Sequence, residues 1–233
     1  MKLTIIIPVY NEINTLETLV NKVITSSSYE KEIILVDDGS NDGTTQLIRE
    51  KIENKVNKVI YHKQNSGKGS AIKSAIKEVN GDIIIIQDAD LEYDPNDYDN
   101  LVRPIINKKT KVVYGSRVLG KPRFKNESFI SNFRIFANLV LTVLSNFLNS
   151  QNLTDAHTCY RVISSDVLKF INLKENDFSF CPEITTKISK LKLSIIEVPI
   201  NYNGRSYSEG KKIGLKDGLL AIKTLFKYRF FNN

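Results

Sequence analysis

Short apolar runs alternate with stretches of helical spacing through the first half of the chain. The apolar runs predict strands over residues 3–7, 32–37, 58–62, 83–87 and 111–115. Apolar residues three and four apart predict helices over residues 13–25, 41–52, 68–79 and 98–107. We expect Asn11 or Asn14 to be the N-cap of the first helix. This alternation is typical of an α/β fold with a doubly wound, mostly parallel sheet.

The second half of the chain has a different pattern. Residues 129–148 predict a long amphipathic helix, and residues 155–161 form a short polar motif. Residues 195–202 predict a strand, and Pro199 places it at a sheet edge because proline has no amide hydrogen to donate. A basic amphipathic helix is predicted over residues 215–228.

Polar clusters follow several of the predicted strands. They occupy residues 8–12, 37–40, 88–90 and 115–117. In an open parallel sheet, ligands bind beyond the carboxyl ends of the strands. The sequence therefore predicts that these clusters form one site at that edge.

The charge is unevenly distributed. The 233 residues carry a net charge of +7, yet residues 82–99 hold seven acids and no lysine or arginine. Residues 201–233 hold seven basic residues and two acids. The acidic segment indicates a cation site, and the basic one indicates phosphate, an anionic membrane or nucleic acid as a partner.

Composition excludes several classes of protein. Two cysteines and two histidines are too few for a disulfide scaffold or a histidine-rich metal centre. We find neither a signal peptide nor the roughly 18 consecutive apolar residues of a membrane span. We therefore expect a reducing, cytoplasmic location. Nucleic acid is a poor candidate partner because the basic residues are not interleaved with aromatic ones.

Two carboxylates, Asp88 and Asp90, directly follow the predicted strand 83–87. Their spacing allows both to reach one cation, and hard oxygen ligands suit Mg²⁺ or Mn²⁺. Glu92 is a third candidate ligand. The alternative is an ordinary solvated acidic loop.

Two other loops are candidates for nucleotide contacts. Asp37 or Asp38 could accept a hydrogen bond from a base or a ribose hydroxyl, although both also suit a strand-to-helix turn. The Gly67-Lys68-Gly69 sequence before a predicted helix is similar to a phosphate-binding loop. It is not a Walker A loop, because the required spacing is absent.

Taken in order and spacing, these motifs resemble family 2 glycosyltransferases, and within them the polyprenyl- and dolichyl-phosphate sugar transferases. The first five matching segments are Pro8-Val9-Tyr10-Asn11-Glu12, Val36-Asp37-Asp38-Gly39-Ser40, Gly67-Lys68-Gly69, Gly81-Asp82 and Asp88-Ala89-Asp90-Leu91. The match continues through Gly115-Ser116-Arg117, Arg134 with Asn138, residues 155–161 and Glu197-Val198-Pro199. The resemblance implies a GT-A fold in a single domain over residues 1–233. Residues 1–117 would bind the nucleotide sugar, and residues 118–233, with the basic last helix, would bind the acceptor.

The resemblance also implies roles for individual residues. The nucleotide would be held by Pro8, Tyr10, Glu12, Asp37, Asp38, Lys68 and Asp88. Asp88, Asp90 and Glu92 would surround a Mg²⁺ or Mn²⁺ ion that bridges the diphosphate. The acceptor phosphate would contact Arg117, Arg134, Asn138 and Arg161, and we expect Asp90, Arg117 and Arg134 to be catalytic. Arg205 and Lys211 would offset charge on the leaving group.

The implied reaction inverts the anomeric carbon of a UDP- or GDP-hexose and transfers one hexose to a polyprenyl phosphate. A phosphate acceptor needs no general base because its second pKa is about 6. A saccharide hydroxyl is the alternative acceptor, with Asp155 as the candidate base, although we favour a structural role for Asp155, either as an N-cap or in an ion pair with Arg161. An inactive nucleotide-binding regulatory protein is the alternative of another class. The sequence leaves the donor sugar and the oligomeric state open.

A lipid acceptor requires access to a membrane. The predicted helix 215–228 carries Lys216, Lys223 and Lys227 beside apolar residues, and Arg229-Phe230-Phe231 follows it. Such a helix suits peripheral contact with the cytoplasmic face of an anionic membrane. The alternative is a helix packed on the core with its lysines in water.

Overall fold

Seven strands form one twisted sheet at the centre of the molecule. The computed structural model describes residues 1–121, 129–205 and 215–231, and their side chains except at 129–134 and 215. The strands lie in the order β3-β2-β1-β4-β6-β5-β7. Only β6 runs antiparallel to its neighbours, β4 and β5, among the strands described. The predicted α/β fold with a mostly parallel sheet is confirmed.

The strand bounds agree closely with the predicted ones. The strands are β1 (Lys2–Val9), β2 (Glu30–Asp37), β3 (Lys58–Tyr61), β4 (Ile83–Ile86), β5 (Val112–Ser116), β6 (Arg161–Ser164) and β7 (Ile195–Pro199). β4 consists of four isoleucines that are all buried, which is expected of a strand covered on both faces. β7 lies at the sheet edge, as Pro199 predicts, but the strand ends at Pro199 and does not continue to residue 202.

The first four helices cover the parallel part of the sheet. They are α1 (Leu16–Thr25), α2 (Thr44–Leu47), α3 (Lys68–Ile76) and α4 (Tyr98–Ile106). A π-helical turn (Ile48–Ile52) and a 3₁₀ turn (Glu53–Lys55) continue α2, and a 3₁₀ turn (Pro95–Asp97) precedes α4.

The predicted cap of α1 is wrong. The helix begins three residues later than expected, and its N-cap is Thr15. Asn11 has a positive φ of 54°, and its side-chain amide instead donates to Asn41 at 3.0 Å. Asn11 therefore joins the loops that follow β1 and β2.

The described residues of the second half of the chain form four α-helices. They are α5 (Phe129–Asn149), α6 (Ser165–Phe170), α7 (Phe180–Lys190) and α8 (Leu215–Phe226), with a π-helical turn (Lys227–Phe231) after α8. α5, α7 and α8 pack against one another. The sequence patterns predicted α5 and α8 but included neither α6 nor α7, and they also missed β6.

The order of strands determines where loops from different parts of the chain meet. The order runs back from β3 to β1 and then jumps to β4, so β1 and β4 are neighbours with connections leaving in opposite directions. Such a switch point opens a crevice at the carboxyl ends of the two strands. The loops after β1 and β4 lie on either side of that crevice.

Candidate active site

A cavity of about 380 Å³ lies at the carboxyl edge of the sheet. Three of the four polar clusters contribute to its wall, but the fourth, residues 115–117, which was predicted to join them, does not line it. The residues that line it are Pro8, Val9, Tyr10, Glu12, Asp38, Asn65, Gly67, Lys68, Ala71, Asp88, Ala89, Asp90, Glu92, Asp177, Phe178 and Arg205. Several carboxylates and two cations therefore face one space.

Lys68, at the start of α3, forms an ion pair with Asp88 across the cavity. Its ammonium also lies 3.1 Å from the sulfur of Cys159 and over the ring of Phe178. Burial disfavours the charged form of Asp88, but Lys68, Cys159 and Arg161 together outweigh it and lower the pKa of the carboxyl group. Asp88 is therefore ionised and held by a cation.

Arg205 lies among three other carboxylates. Its guanidinium donates to both oxygens of Glu12, at 3.0 and 3.1 Å, and to Asp90 Oδ2 at 2.8 Å. Glu92 Oε1 is 3.9 Å from Arg205 Nε. One guanidinium thus partly neutralises three acids that come from two different strand-end loops.

Burial and neighbouring charges perturb the acidity of Asp90. Burial, followed by the charges of Asp88 and Glu92, raises its pKa to about 7, and Arg205 opposes that rise. The site therefore holds more negative charge than its own cations balance, and added positive charge would stabilise it.

Glu92 fixes the loop that carries Arg205. Its carboxylate accepts from the hydroxyl of Tyr202 at 2.8 Å and from the backbone amide of Arg205 at 2.6 Å. Its carbonyl accepts from the amide of Asn203 at 2.9 Å. The carboxylate that was predicted to be a metal ligand thus positions residues 202–205 in this structure.

The carboxylates provide the right atoms for a divalent cation but do not form a preassembled ligand set. Within residues 1–121, 129–205 and 215–231, no three acidic, histidine or cysteine side chains are arranged to hold a metal ion. Asp90 and Glu12 instead meet at Arg205. Hard oxygen donors, the raised pKa of Asp90 and the excess of acids fit Mg²⁺ or Mn²⁺. Arg205 occupies one oxygen of Asp90 in this structure, so it would compete with such an ion for that carboxylate.

The two aspartates after β2 have different surroundings. Asp37 is buried outside the cavity wall, where it accepts from the amide of Ser40 and the hydroxyl of Thr45. In this structure each oxygen of Asp37 accepts a hydrogen bond within the turn, and its predicted contact with a nucleotide stays a prediction. Asp38 does reach the wall.

Asp38 supports the loop before α3. Its carboxylate accepts from the amides of Ser66 and Gly67, at 2.7 to 3.1 Å, and lies 2.6 Å from His62 Nδ1. These bonds shape the part of the wall formed by Asn65 and Gly67.

The glycines at 67 and 69 have a structural reason that the sequence did not reveal. A Cβ atom on Gly67 would lie 2.5 Å from the carbonyl oxygen of Asn176, and one on Gly69 would lie 2.5 Å from that of Glu175. The amide of Ser70 donates to the Asn176 carbonyl at 2.9 Å. The two glycines thus allow the backbone of residues 175–176 to pack closely against the start of α3. Lys68, between them, is the residue of this sequence whose side chain pairs with a cavity carboxylate.

Arg117 forms an ion pair with Asp155. The guanidinium donates to both carboxylate oxygens, at 2.7 and 2.8 Å, and the backbone amide of Arg117 adds a third bond at 3.1 Å. Burial disfavours the ionised form of Asp155, but Arg117 outweighs it and lowers the pKa of that carboxyl. The expected pair between Asp155 and Arg161 is wrong, because Arg117 is the partner. Arg117 also lies 5.2 Å from the ring of Tyr202, the residue that bonds to Glu92.

Arg161 is not available to an acceptor. It lies on β6 with no exposed surface, donates to the carbonyls of Ala156 and Thr158, and packs over the ring of Tyr114. The prediction that Arg161 binds the acceptor is therefore wrong. Its guanidinium shapes the turn at residues 156–158 instead.

The structure describes only some of the other residues that were predicted to bind the acceptor or the leaving group. Asn138 is half-buried on α5. Arg134 lies on the same helix, but its side chain is outside the described residues, and so is the whole of Lys211. Their predicted roles stay predictions.

Sequence reasoning missed one wall of the cavity. Asp177 and Phe178 come from the segment between α6 and α7, which is distant in sequence from the strand-end loops. The two glycines around Lys68 are the one signal that could have indicated a close neighbour at that point, because glycine permits close approach of another backbone. Nothing in the pattern of the chain identified which segment it is.

Comparison with known proteins relates this chain to glycosyltransferases. A family model described as glycosyl transferase family 2 matches residues 4–171. UDP-N-acetylglucosamine–dolichyl-phosphate N-acetylglucosaminyltransferase of Methanococcus voltae is 33% identical over 88% of this chain and 86% of its own length. Dolichol-phosphate mannosyltransferase of Pyrococcus furiosus is 28% identical over 98% of this chain, which spans 62% of that relative's length.

A solved structure has a similar fold. Glucosyl-3-phosphoglycerate synthase from Mycobacterium tuberculosis, in complex with Mn²⁺, UDP-glucose and phosphoglyceric acid, aligns with a TM-score of 0.72. The alignment covers 98% of this chain and 79% of that one at 17% sequence identity.

Proposed function

Since the chain belongs to glycosyl transferase family 2 and has its GT-A fold, we propose that this glycosyltransferase moves one hexose from a nucleoside-diphosphate sugar to a polyprenyl phosphate. The anomeric carbon is inverted as the acceptor oxygen attacks and the nucleoside diphosphate leaves. Residues 1–117 supply most of the donor site, to which Asp177, Phe178 and Arg205 also contribute, and the rest of residues 118–233 binds the acceptor. The observation that carries this proposal is the cavity in which Asp88, Asp90, Glu12 and Glu92 meet Lys68 and Arg205.

The donor occupies this cavity. Pro8, Tyr10 and Asn65 lie along the wall that receives the nucleoside, where Asp38 fixes the neighbouring loop. Lys68 lies on the same wall and offers its ammonium to the diphosphate. A Mg²⁺ or Mn²⁺ ion, held by Asp88 and Asp90 with Glu92 or Glu12, would neutralise diphosphate charge. Arg205 then becomes available to stabilise the departing diphosphate.

A phosphate acceptor fits the surroundings of Asp155 better than a hydroxyl acceptor does. Asp155 is the candidate base for a hydroxyl acceptor, but Arg117 occupies both of its oxygens and lowers its pKa. A phosphate monoester is largely ionised at neutral pH and needs positive charge for positioning rather than deprotonation. Arg117, Arg134 and Asn138 supply that positioning in our proposal.

The exposed face of α5 and α8 supports contact with the lipid's membrane. Among the helices described, none has the length and hydropathy to cross a bilayer. α5 exposes an apolar stripe at every third or fourth residue, formed by Phe136, Val140, Val143 and Phe147. The segment from α8 exposes Leu219, Phe226, Phe230 and Phe231, together with Lys216 and Lys223.

This face would lie on the cytoplasmic side of an anionic membrane. Wild-type protein should co-sediment with phosphatidylglycerol vesicles, and Phe231→Ser should weaken that binding. Equal sedimentation of wild type and variant would remove Phe231 from the contact.

Donor turnover tests the proposed reaction. The protein is incubated with Mn²⁺ or Mg²⁺ and polyprenyl phosphate, and separate wells receive UDP-N-acetylglucosamine, UDP-glucose or GDP-mannose. We expect nucleoside diphosphate release from one donor, dependent on metal and stimulated by the lipid. Release that ignores the lipid would indicate a hydroxyl acceptor, and nucleotide binding without release from any donor would favour a non-catalytic binding protein.

A further inference from the structure

The wall of the cavity formed by residues 174–178 is held in place by the last helical segment of the described chain. This donor-wall segment, residues 174–178, connects α6 to α7 and contributes Asp177 and Phe178 to the cavity. It lies between two helices in the chain and does not follow a strand of the sheet. Its position therefore depends on contacts with the helices around it.

On one side, the donor-wall segment lies against the start of α3. The carbonyls of Glu175 and Asn176 face Gly69 and Gly67 at a distance that a Cβ atom could not tolerate. Asn176 accepts from the amide of Ser70 at 2.9 Å, and Lys73 donates to the carbonyl of Lys174 at 2.9 Å. Movement of this segment would therefore shift the start of α3, and with it Lys68, which lies between the two glycines.

On the other side, the donor-wall segment is tied to the π-helical turn after α8. The hydroxyl of Tyr228, which has no exposed surface, donates to Glu175 Oε1 at 2.8 Å, and Lys227 Nζ lies 2.6 Å from the same oxygen. The buried carboxylate of Glu183 accepts from the amides of Lys174 and Glu175, at 2.7 and 2.9 Å. The segment is thus held at its backbone by α7 and at its side chain by the turn after α8.

Physical contacts consequently run without interruption from an exposed surface to the donor cavity. Phe230 and Phe231, in the same turn as Tyr228, are 62% and 82% exposed. Tyr228 holds Glu175, Glu175 lies against Gly69, and Lys68 reaches Asp88. The turn that bears the exposed aromatic residues therefore also holds the donor-wall segment.

We propose that Tyr228 and Glu175 are positioning residues for the nucleotide donor, through which the helical segment after residue 215 sets the placement of Lys68 and Phe178. This inference rests on the proposed function, since it takes the cavity to be the donor site. If the bond between Tyr228 and Glu175 only anchored the last helical segment, its loss would lower the stability of the protein and leave its nucleotide affinity unchanged. Nucleotide affinity therefore separates positioning from anchoring.

The test compares two buried tyrosine hydroxyls. Tyr228→Phe removes the bond to Glu175, and Tyr114→Phe removes a bond of similar length, 2.9 Å, to Thr185 away from the donor-wall segment. Both tyrosines have no exposed surface. Calorimetric titration with UDP and with GDP, each with Mn²⁺, gives Kd for the wild type and both variants, after thermal melts confirm that all three are folded.

We expect Tyr228→Phe to weaken binding of the accepted nucleotide by roughly threefold to tenfold, and Tyr114→Phe to change it less than twofold. Glu175→Ala should weaken binding similarly, and the double variant should bind no more weakly than the weaker-binding single variant, because both changes remove the bond between Tyr228 and Glu175. Equal nucleotide affinity in folded Tyr228→Phe and Tyr114→Phe overturns the inference.

Hydrogen exchange keeps this inference separable from the proposed function. The amides of residues 68–71 should exchange faster in nucleotide-free Tyr228→Phe than in Tyr114→Phe, because the Ser70–Asn176 bond is loosened. If wild-type protein bound neither UDP nor GDP, the proposed donor site would be overturned. Hydrogen exchange would still measure whether the Tyr228–Glu175 bond stabilises the start of α3. Unchanged exchange together with unchanged affinity would show that Tyr228 only anchors the helix.

Discussion

Arg205 occupies the place where a divalent cation would approach Asp90, so its removal should have opposite effects on metal binding and on turnover. In this structure its guanidinium makes three side-chain hydrogen bonds, two to Glu12 and one to Asp90, at 2.8 to 3.1 Å. Arg205→Ala leaves those carboxylates without their cation. The variant should bind Mn²⁺ more tightly than wild type and yet transfer sugar more slowly.

The magnitudes follow from the contacts that must be exchanged. A hydrogen bond between charged groups contributes about 1.5–3 kcal/mol, and the partial exposure of Arg205, 22%, places this one at the low end. Displacing Arg205 from Asp90 therefore costs wild type about 1.5 kcal/mol, which is roughly tenfold in Mn²⁺ affinity. Loss of a cation that stabilises the leaving group should lower kcat by roughly 100-fold.

Two assays measure the two effects. Calorimetric titration of Mn²⁺ into nucleotide-free protein gives the metal affinity, and nucleoside diphosphate release gives kcat. Arg49→Ala is the matched control, since Arg49 stacks on Tyr61, 5.1 Å from the ring centre and away from the cavity residues. Mn²⁺ binding to Arg205→Ala that is equal to or weaker than wild type would refute the competition between Arg205 and the metal.

Three further substitutions test separate parts of the account. Asp90→Asn should remove metal-dependent transfer and leave the circular dichroism spectrum intact; wild-type turnover that persists in excess EDTA would contradict this. Arg134→Ala should raise the acceptor KM or lower kcat with donor Kd unchanged, and an equal loss of donor binding would make the residue structural. Gly69→Ala places a Cβ 2.5 Å from the Glu175 carbonyl oxygen and should lower the free energy of unfolding by roughly 1–3 kcal/mol. Gly218→Ala, with no atom within 4 Å of the new Cβ, is its control in urea denaturation and should not destabilise the protein.

The parallel half of the fold could be predicted because its signals are local. The buried isoleucines of β4 and the polar residues that follow each strand mark both the strands and their carboxyl ends. Since parallel strands share one edge, local patterns were enough to bring Glu12, Asp88 and Asp90 together.

The second half was predicted less well because its elements are specified by distant partners. β6 is a four-residue strand that begins at a fully buried arginine, so it lacks the apolar run that predicts a strand. Arg161 is stabilised there by the carbonyls of Ala156 and Thr158 and by the ring of Tyr114. None of these contacts can be read from periodicity.

Charge pairing in the site was equally hidden from the sequence. The motif containing Asp155 suggested Arg161 as its partner because the two are near in sequence, but Arg117 is nearer in space. Glu92 was predicted as a metal ligand from its distance to Asp90 along the chain. In the fold it positions the loop of Tyr202 and Arg205, residues more than a hundred positions away.

The most direct test of the central claim is to follow the sugar itself. A donor labelled in the sugar, chosen by the release assay, is incubated with the protein, Mn²⁺ and polyprenyl phosphate, and the reaction is extracted into organic solvent. The account predicts labelled sugar linked to the lipid phosphate, formed with metal and absent with EDTA or with Asp90→Asn. Label that stays in the aqueous phase while nucleoside diphosphate accumulates, whether or not the lipid is present, would contradict transfer to polyprenyl phosphate.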